Sequence, residues 1–567
     1  LDLFELAVLG LLGIAAATAI GPRLGIAAPL LLTIAGIAAS LLHIVPEVEI
    51  EPEWILAGVL PPLLYSAAVS MPTMEFRRDF RAISGLSVVL VVLSSAALGL
   101  LFSWLIPEIG LAGGIALGAI ISPTDAVAIS IVKRLGVSAR VVALLEGESL
   151  LNDATALVLL RSAIAGMAAT VSVWGVAGDF LYAVAVAVTI GVVVGALNLR
   201  IRARVADPTV NTVISFTIPF IAAIPAEHLG ASGLVAAVAA GLVTGKGAPR
   251  FLSPRHRLSD KQNWHTIEMV LEGAVFLIMG LELTSIIEAV QADIYGIELA
   301  IGIALLAILT AVLVRAAYVA PLLAGLQAQS RRSVAIKAAI SSFRDQLEAS
   351  TIDTSNHSEE ASGFRQELLS RSNERFRNRL RRMVADGDYF LAKPLGWREG
   401  AIVVWAGMRG VVTLAAAQTL PATMPSRPLL ILIAFCVAVG SLLLQGSTLP
   451  WLIRVLRPAG VDHKALEEEH AQLKRLLNSA AAEALEDSEP DEMVHRFREY
   501  LAHGDQELSD QLQTLGQLRL AVLDAQRKAL LDVRDHGEFS AEALSAALEH
   551  LDADQISLEL KSSSWSA

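Results

Sequence analysis

Cysteine is almost missing from this chain. Cys436 is the single one in 567 residues, so an intrachain disulfide cannot form. Charge is scarce as well: Asp, Glu, Lys and Arg together supply 18% of the residues and aromatics 5%, whereas about a quarter of a typical soluble domain is charged. The apolar stretches contain no His-x-x-x-x-His metal motif, no nucleophile elbow and no phosphate-binding glycine loop, which removes the usual signatures of an intramembrane enzyme. The first apolar stretch has no basic region before it and runs into a second one, so no cleavable signal peptide is expected. The net charge of −12 lies mostly in the C-terminal part, and no nucleic-acid partner is expected.

What the chain has in quantity is hydrocarbon. It is 54% hydrophobic, with a mean hydropathy of +0.58. Apolar segments fall at 4–20, 24–43, 54–70, 82–106, 110–132, 141–169, 175–197, 208–224, 230–245, 264–287, 295–326, 400–420 and 429–453. Most reach the ~20 residues that a helix needs to cross a bilayer; the third, eighth and ninth are short. The expected fold is an all-α polytopic membrane protein of about thirteen transmembrane helices. The transmembrane domain runs over 1–456, interrupted by a charged loop at 327–399. Within that loop "RQELLSRSNERFRNRLRRM" reads as a basic helix facing solvent or lipid headgroups. Residues 457–567 are acidic with leucines at helical spacing, as in "LGQLRLAVLDAQRKALLDV". They predict a helical cytoplasmic tail, with a break at His536-Gly537.

Loop charge sets the orientation. Odd-numbered connections carry Arg23; Arg77, Arg78 and Arg81; Lys133, Arg134 and Arg140; Arg200, Arg202 and Arg204; then Lys246, Arg250, Arg255, Arg257 and Lys261. Even-numbered ones, such as "HIVPEVEIEPE" and "VQADIYG", are acidic or neutral, and Arg427 alone breaks the alternation. Basic loops stay cytoplasmic, so the N-terminus is expected outside and the C-terminus inside.

The informative residues are polar ones where lipid is expected. The sixth segment contains "EGESLLNDAT" (146–155). A carboxylate at a helix centre costs ~2.5–3.5 kcal/mol on insertion scales, so it persists only with partners or a task. Residues four apart share a helix face, which places Ser149 with Asp153 and Glu148 with Asn152. The first pair offers hard oxygens suited to a small alkali cation or a proton. The plainer reading is a polar patch joining helices. Glu146 lies nearer the cytoplasmic end and can snorkel. In the fifth segment, "GAIISPTDAVAIS", Pro123 predicts a helix break near Ser122 to Asp125, with Thr124 and Asp125 adding oxygens there. The plainer reading is a proline kink.

The twelfth segment, "VVWAGMRGVVTLAAAQTLP", sets Arg409 between Gly407 and Gly410. A guanidinium at that depth needs a partner. Glu148 is one candidate; alternatively Arg409 and Asp125 neutralise the dipoles of opposed half-helices. The two interrupted segments are seven apart, so corresponding segments of two inverted repeats around segment seven would run in opposite directions. Broken helices in inverted repeats point to a secondary transporter working by alternating access.

"LPPLLY", "SPTDAVA", "GESLLNDATALV", "WAGMRGVVTLAAA" and "QGSTLPWL", in this order, together resemble the NhaP/NHE-type sodium/proton antiporters, the bacterial plasma-membrane branch above all. The tail stretch "LLDVRDHGEFSAEAL" is similar too. The resemblance implies a plasma-membrane homodimer that exchanges Na⁺, or K⁺ or Li⁺, for H⁺, with no further cofactor. It implies that Asp153 binds both the cation and the proton, with Ser149, Asn152, Thr124 and Asp125 around it, and that Glu148 and Arg409 form a buried structural ion pair. Two positions depart from the pattern. Ser66 stands where many relatives carry an acid after the aromatic, and Glu272 stands where bacterial relatives often have Asn, making both accessory candidates. Glu282 likewise replaces a frequent Gln. With Asn152 neutral and a single acid titrating per cycle, exchange is expected to be electroneutral. A K⁺/H⁺ exchanger with the tail as sensor is the alternative, and a cation channel the reading from another class. The tail's regulator is left open.

Overall fold

The computed structural model describes residues 3–43, 45, 51–168, 173–291, 296–351, 385–387, 389–390, 395–458, 463–486 and 507–565. Among them every regular element is helical. Two compact units divide the chain: one takes in 1–252, 256–324 and 395–460, the other 253–255, 325–394 and 461–567.

The first unit holds the apolar segments. In chain order they are α1 (Leu3–Leu24), α2 (Ala28–Leu41), α3 (Leu60–Ser70), α4 (Thr73–Ser84), α5 (Leu90–Leu105), α6 (Gly110–Ile121), α7 (Val127–Arg134), α8 (Ala139–Ala168), α9 (Val173–Arg202), α10 (Pro208–His228), α11 (Gly233–Phe251), α12 (Pro254–Leu281), α13 (Leu283–Gln291), α14 (Ile297–Thr351), α15 (Trp397–Trp405), α16 (Val411–Gln418) and α17 (Arg427–Leu456). Wide π-type turns at Trp54–Val59 and Gly85–Val89 lead into α3 and α5. Eight of the described helical stretches are long and apolar enough to cross a membrane; Ala28–Leu41, Trp54–Ser70 and Pro107–Ile121 are shorter apolar helices. The chain is therefore a multi-pass membrane protein.

Small residues let these helices approach. Gly191 and Gly195 on α9 lie against Ala236, Ala239 and Ala240 of α11, where a Cβ at Gly191 would meet Ala239 Cβ at 2.6 Å. Gly114 and Gly118 on α6 face the backbone of α5 at Gly99 and Ser95 in the same way. Such four-residue spacing of small side chains is how helices pack when lipid supplies no hydrophobic drive.

Three sequence expectations change. The 327–399 stretch is not wholly a loop, because α14 continues to Thr351; the basic stretch at 365–383 lies outside the described residues. Arg140 and Arg202 are not free loop charges. Arg140 grips Asp79 of α4 with Nη2 to Oδ1 at 2.8 Å, both side chains buried. Arg202, fully buried, pairs with Asp260 and donates to Asn211 Oδ1 at 2.7 Å. Arg427, the exception to the charge alternation, has its own explanation: its guanidinium donates to the carbonyls of Gln418 at 2.7 Å and Leu420 at 2.8 Å. It caps the C-terminus of α16, where a cation is favoured.

The second unit contains a helical tail: α18 (His463–Glu486), α19 (Glu507–His536) and α20 (Ala541–Trp565). α19 ends at His536, and Gly537 takes a left-handed φ of +77° that reverses the chain. Ser540 then starts α20, its hydroxyl donating to Glu469 of α18 at 2.9 Å.

Candidate functional site

Two helix breaks meet at the candidate site. Between α6 and α7, Pro123 cannot donate an amide, and Ser122–Ala126 leave the helical ladder. Between α15 and α16, Ala406–Gly410 do the same around two glycines. The breaks are joined directly, since Asp125 N donates to Met408 O at 2.8 Å.

Four half-helix ends converge there, and the two charged side chains sort themselves accordingly. The Asp125 carboxylate accepts from Val127 N at 3.1 Å and faces the amides of Ala126 and Val411, the N-terminal ends of α7 and α16. A Cβ on Gly410 would overlap that carboxylate, so only glycine leaves room for it. Arg409 takes the opposite poles. Its Nε donates to Ile121 O at 3.0 Å, closing the C-terminal end of α6, and its Nη1 donates to Gly407 O just past α15. Ser441 of α17 receives the Arg409 amide at 2.9 Å. An anion at paired N-termini and a cation at paired C-termini is the arrangement helix dipoles favour.

The expected Glu148–Arg409 ion pair is therefore not what forms. Glu148 binds Arg315 of α14, both carboxylate oxygens engaged by the guanidinium, with Nη2 to Oε2 at 2.7 Å. Each residue is 2% exposed. Thr124 Oγ1 also donates to Glu148 Oε1 at 3.1 Å, and Arg315 Nε donates to Val403 O at 2.9 Å. The physical reason is geometric: Arg409 is already occupied by helix-end carbonyls, while Arg315 arrives in bidentate alignment. Sequence reasoning missed Arg315. The signal was there, a single guanidinium inside "AILTAVLVRAAYVAP" of the eleventh segment.

α8 places the remaining candidates. Asn152 Nδ2 donates to Thr124 O and Oγ1, each at 3.0 Å, tying the α6–α7 break to α8, and its Oδ1 has no partner among the described residues. Asp153 is 7% exposed, and no hydrogen bond from a described residue reaches its carboxylate; Asp125 is its charged neighbour. Ser149 is half-buried, one helical turn before Asp153. Glu146 is held by Lys133 across the α7–α8 turn.

The accessory candidates fall on or beside α12. Glu272 is half-buried with Asp125 and Glu268 as charged neighbours. Ser66 is buried on α3, and Glu268 of α12, an acid that sequence reasoning did not single out, is half-buried. Glu282, at the α12–α13 joint, accepts from Gln418 Nε2 at 2.8 Å, away from the crossing.

The sodium/hydrogen exchanger transmembrane family matches residues 9–346 and 383–455. The chain belongs to that family. Its match to the uncharacterized Na⁺/H⁺ exchanger YjcE of Escherichia coli is 38% identical over 43% of this chain and 46% of that protein. The uncharacterized Na⁺/H⁺ exchanger Rv2287 of Mycobacterium tuberculosis is 27% identical over 95% of this chain and 93% of its own length. Among solved structures, the sodium proton antiporter MjNhaP1 from Methanocaldococcus jannaschii superposes with a TM-score of 0.56 at 17% identity, covering 80% of this chain and 98% of that one. The crossed-helix fold is thus that of a family exchanger.

Proposed function

We propose that the protein is a secondary antiporter exchanging a monovalent cation, Na⁺ first, for protons, with Asp153 as the carboxylate that both ions share. One observation carries the reading. A buried carboxylate lacking any hydrogen-bond partner among the described residues sits beside the crossing of two broken helices. Three charged groups of the crossing have fixed occupants: Glu148 has Arg315, Arg409 has carbonyls, and Asp125 has helix amides. Asp153 is left for a mobile ion, with Ser149 as a further hard oxygen and Asn152 and Thr124 bracing the break. Buried carboxylates are costly when charged and unpaired, so Asp153 must carry either a proton or a cation in turn. That mutual exclusion is what couples the two fluxes.

Since Glu148 is neutralised by Arg315 and Asn152 is uncharged, one carboxylate cycles and exchange is electroneutral. The protein acts as a homodimer in the plasma membrane with its basic loops and tail on the cytoplasmic side. Arg140 and Arg202 serve buried ion pairs, yet the other Lys and Arg residues of the odd-numbered connections stay on that side, and they support the orientation. The transmembrane domain over 1–456 conducts exchange, and the tail over 457–567 regulates it. Transport in reconstituted vesicles, followed as dissipation of a pH gradient upon Na⁺, Li⁺ or K⁺ addition, tests the activity and ranks the ions.

A further inference from the structure

The half-helix α16 is anchored at both ends, and only one anchor belongs to the exchange site. At its start Gly410 makes room for the Asp125 carboxylate. At its far end Arg427 holds the Gln418 and Leu420 carbonyls. The Gln418 side chain reaches away from them to Glu282, Nε2 to Oε2 at 2.8 Å. α16 has 8 residues, which makes it a strut of about 12 Å at the helical rise. A shift of the crossing is carried along it to Gln418.

Glu282 sits at a joint that is itself tightly held. It is the single residue that interrupts the helix between α12 and α13. Ser40 of α2 bridges the interruption. Its hydroxyl donates to Leu281 O at 2.8 Å and receives the Thr284 amide at 3.2 Å, with the Thr284 hydroxyl on the same oxygen. One donor and two acceptor positions are all that a serine hydroxyl has, so Ser40 is fully used. One turn before Ser40 the helices touch through glycine, where a Cβ on Gly36 would meet Gly280 Cα at 2.9 Å. α2, α12 and α13 thus form one side of the Glu282–Gln418 contact, and the crossing with α16 and α17 forms the other. Glu282 is 3% exposed. The contact lies toward the face on which α13 leads to α14 and α16 to α17, the outer one in the orientation proposed above.

We propose that the Glu282–Gln418 hydrogen bond is a latch that keeps the exchange site closed toward the outer face and opens whenever an ion passes there. The proposal rests on antiport at Asp153, because a shared site has to face the two sides in turn. Its chemistry suits reversible opening. Gln418 is neutral and gives one N–H to the carboxylate, whereas Arg315 gives Glu148 two charge-assisted bonds. Gln418 Oε1 is buried without a hydrogen bond from a described residue, so a single bond is what the Gln418 amide contributes. Glu282 is then a positioning residue, acting on the crossing through α16 and not on the ion.

The test measures the cation KM of the full chain from each face, in vesicles of known sidedness. Apparent affinity from one face scales with the fraction of protein open to it, so the ratio of outer to inner KM reports the latch. Glu282→Ala and Gln418→Ala are each expected to lower this ratio about 3–10-fold, the net effect of one hydrogen bond. The double variant should lower it no further, since one contact is lost in all three. Glu282→Gln keeps an acceptor oxygen in place and should leave the ratio within about twofold of wild type. Gln418→Met keeps the length and removes the donor; it is expected to follow Gln418→Ala, and it decides by the same criteria if an alanine variant does not fold. An unchanged ratio, a lowered maximal rate at constant ratio, or shifts that multiply in the double variant would each overturn the latch. A fall in Glu282→Gln as large as in Glu282→Ala would overturn it too, because charge and not the bond would then govern. Absence of cation-driven proton flux in wild type would instead remove the antiport reading, which no value of the ratio can do.

Discussion

Glu148 and Arg315 lie 167 residues apart in the chain and meet inside the membrane unit with both carboxylate oxygens on the guanidinium, Nη2 to Oε2 at 2.7 Å. This contact consumes one of the two buried acids in the "GESLLND" stretch and leaves Asp153 as the other. Removing one partner of a buried pair strands the second charge at a cost of ~3–5 kcal/mol. Glu148→Gln and Arg315→Ala should therefore each lower the melting temperature in detergent strongly, and the double variant should lose less than the sum. Thermal denaturation of the four proteins checks this, and strict additivity would contradict the pairing.

The crossing makes a second claim testable. Gly410 is the position where a methyl group overlaps the Asp125 carboxylate. Gly410→Ala should abolish exchange while the tail helices remain folded, whereas Gly440→Ala, whose Cβ would meet only Ile308 Cδ1 at 3.3 Å, should transport nearly normally. Vesicle flux for both variants gives the comparison.

Asp207 provides a pH dependence outside the membrane. Its side chain caps α10, accepting from Thr209 N at 2.7 Å and Val210 N at 2.9 Å. The Val210 amide first, then that of Thr209, holds the carboxyl below its usual value. A depressed folded pKa adds stability above the unfolded value of about 3.9, and that stability is lost as pH falls through the folded pKa. Amide exchange at Thr209 and Val210 should be faster in Asp207→Ala than in wild type at neutral pH. The difference should narrow as pH drops below about 4.

Much of this architecture was legible because membrane insertion writes itself into composition. Several apolar segments matched helices within a few residues, as at Leu3–Leu24 and Arg427–Leu456, while α12 starts at Pro254 and α14 runs to Thr351, well beyond their segments. Pro123 located the first break because proline removes an amide wherever it sits. The His536-Gly537 break was equally plain, because glycine takes the left-handed turn without strain. Partner choice was not legible. A lone Arg in an apolar run announces that it needs an acid, yet Arg315 and Arg409 announce it equally, and only packing decides which reaches Glu148. Glu268 was hidden for a related reason. Its helix begins in the charged turns at 254–263, which read as loop because hydropathy reports burial in lipid and not helix continuity.

Electroneutral exchange follows from one cycling carboxylate. Glu272 is the competing acid, half-buried with Asp125 as a neighbour. With the membrane potential clamped at several values, the rate and the equilibrium ion ratio should stay constant in wild type and in Glu272→Gln. A potential-dependent ratio that Glu272→Gln abolishes would place a second titrating group in the cycle.

The most direct measurement is cation-driven proton flux by Asp153→Asn in vesicles, alongside wild type. The substitution keeps the shape of the side chain and removes its ability to trade a proton for a cation. Flux should vanish for Na⁺, Li⁺ and K⁺ alike, with the melting temperature at or above that of wild type because a buried unpaired carboxyl has become an amide. Saturable cation-driven proton flux in that variant would contradict Asp153 as the shared site.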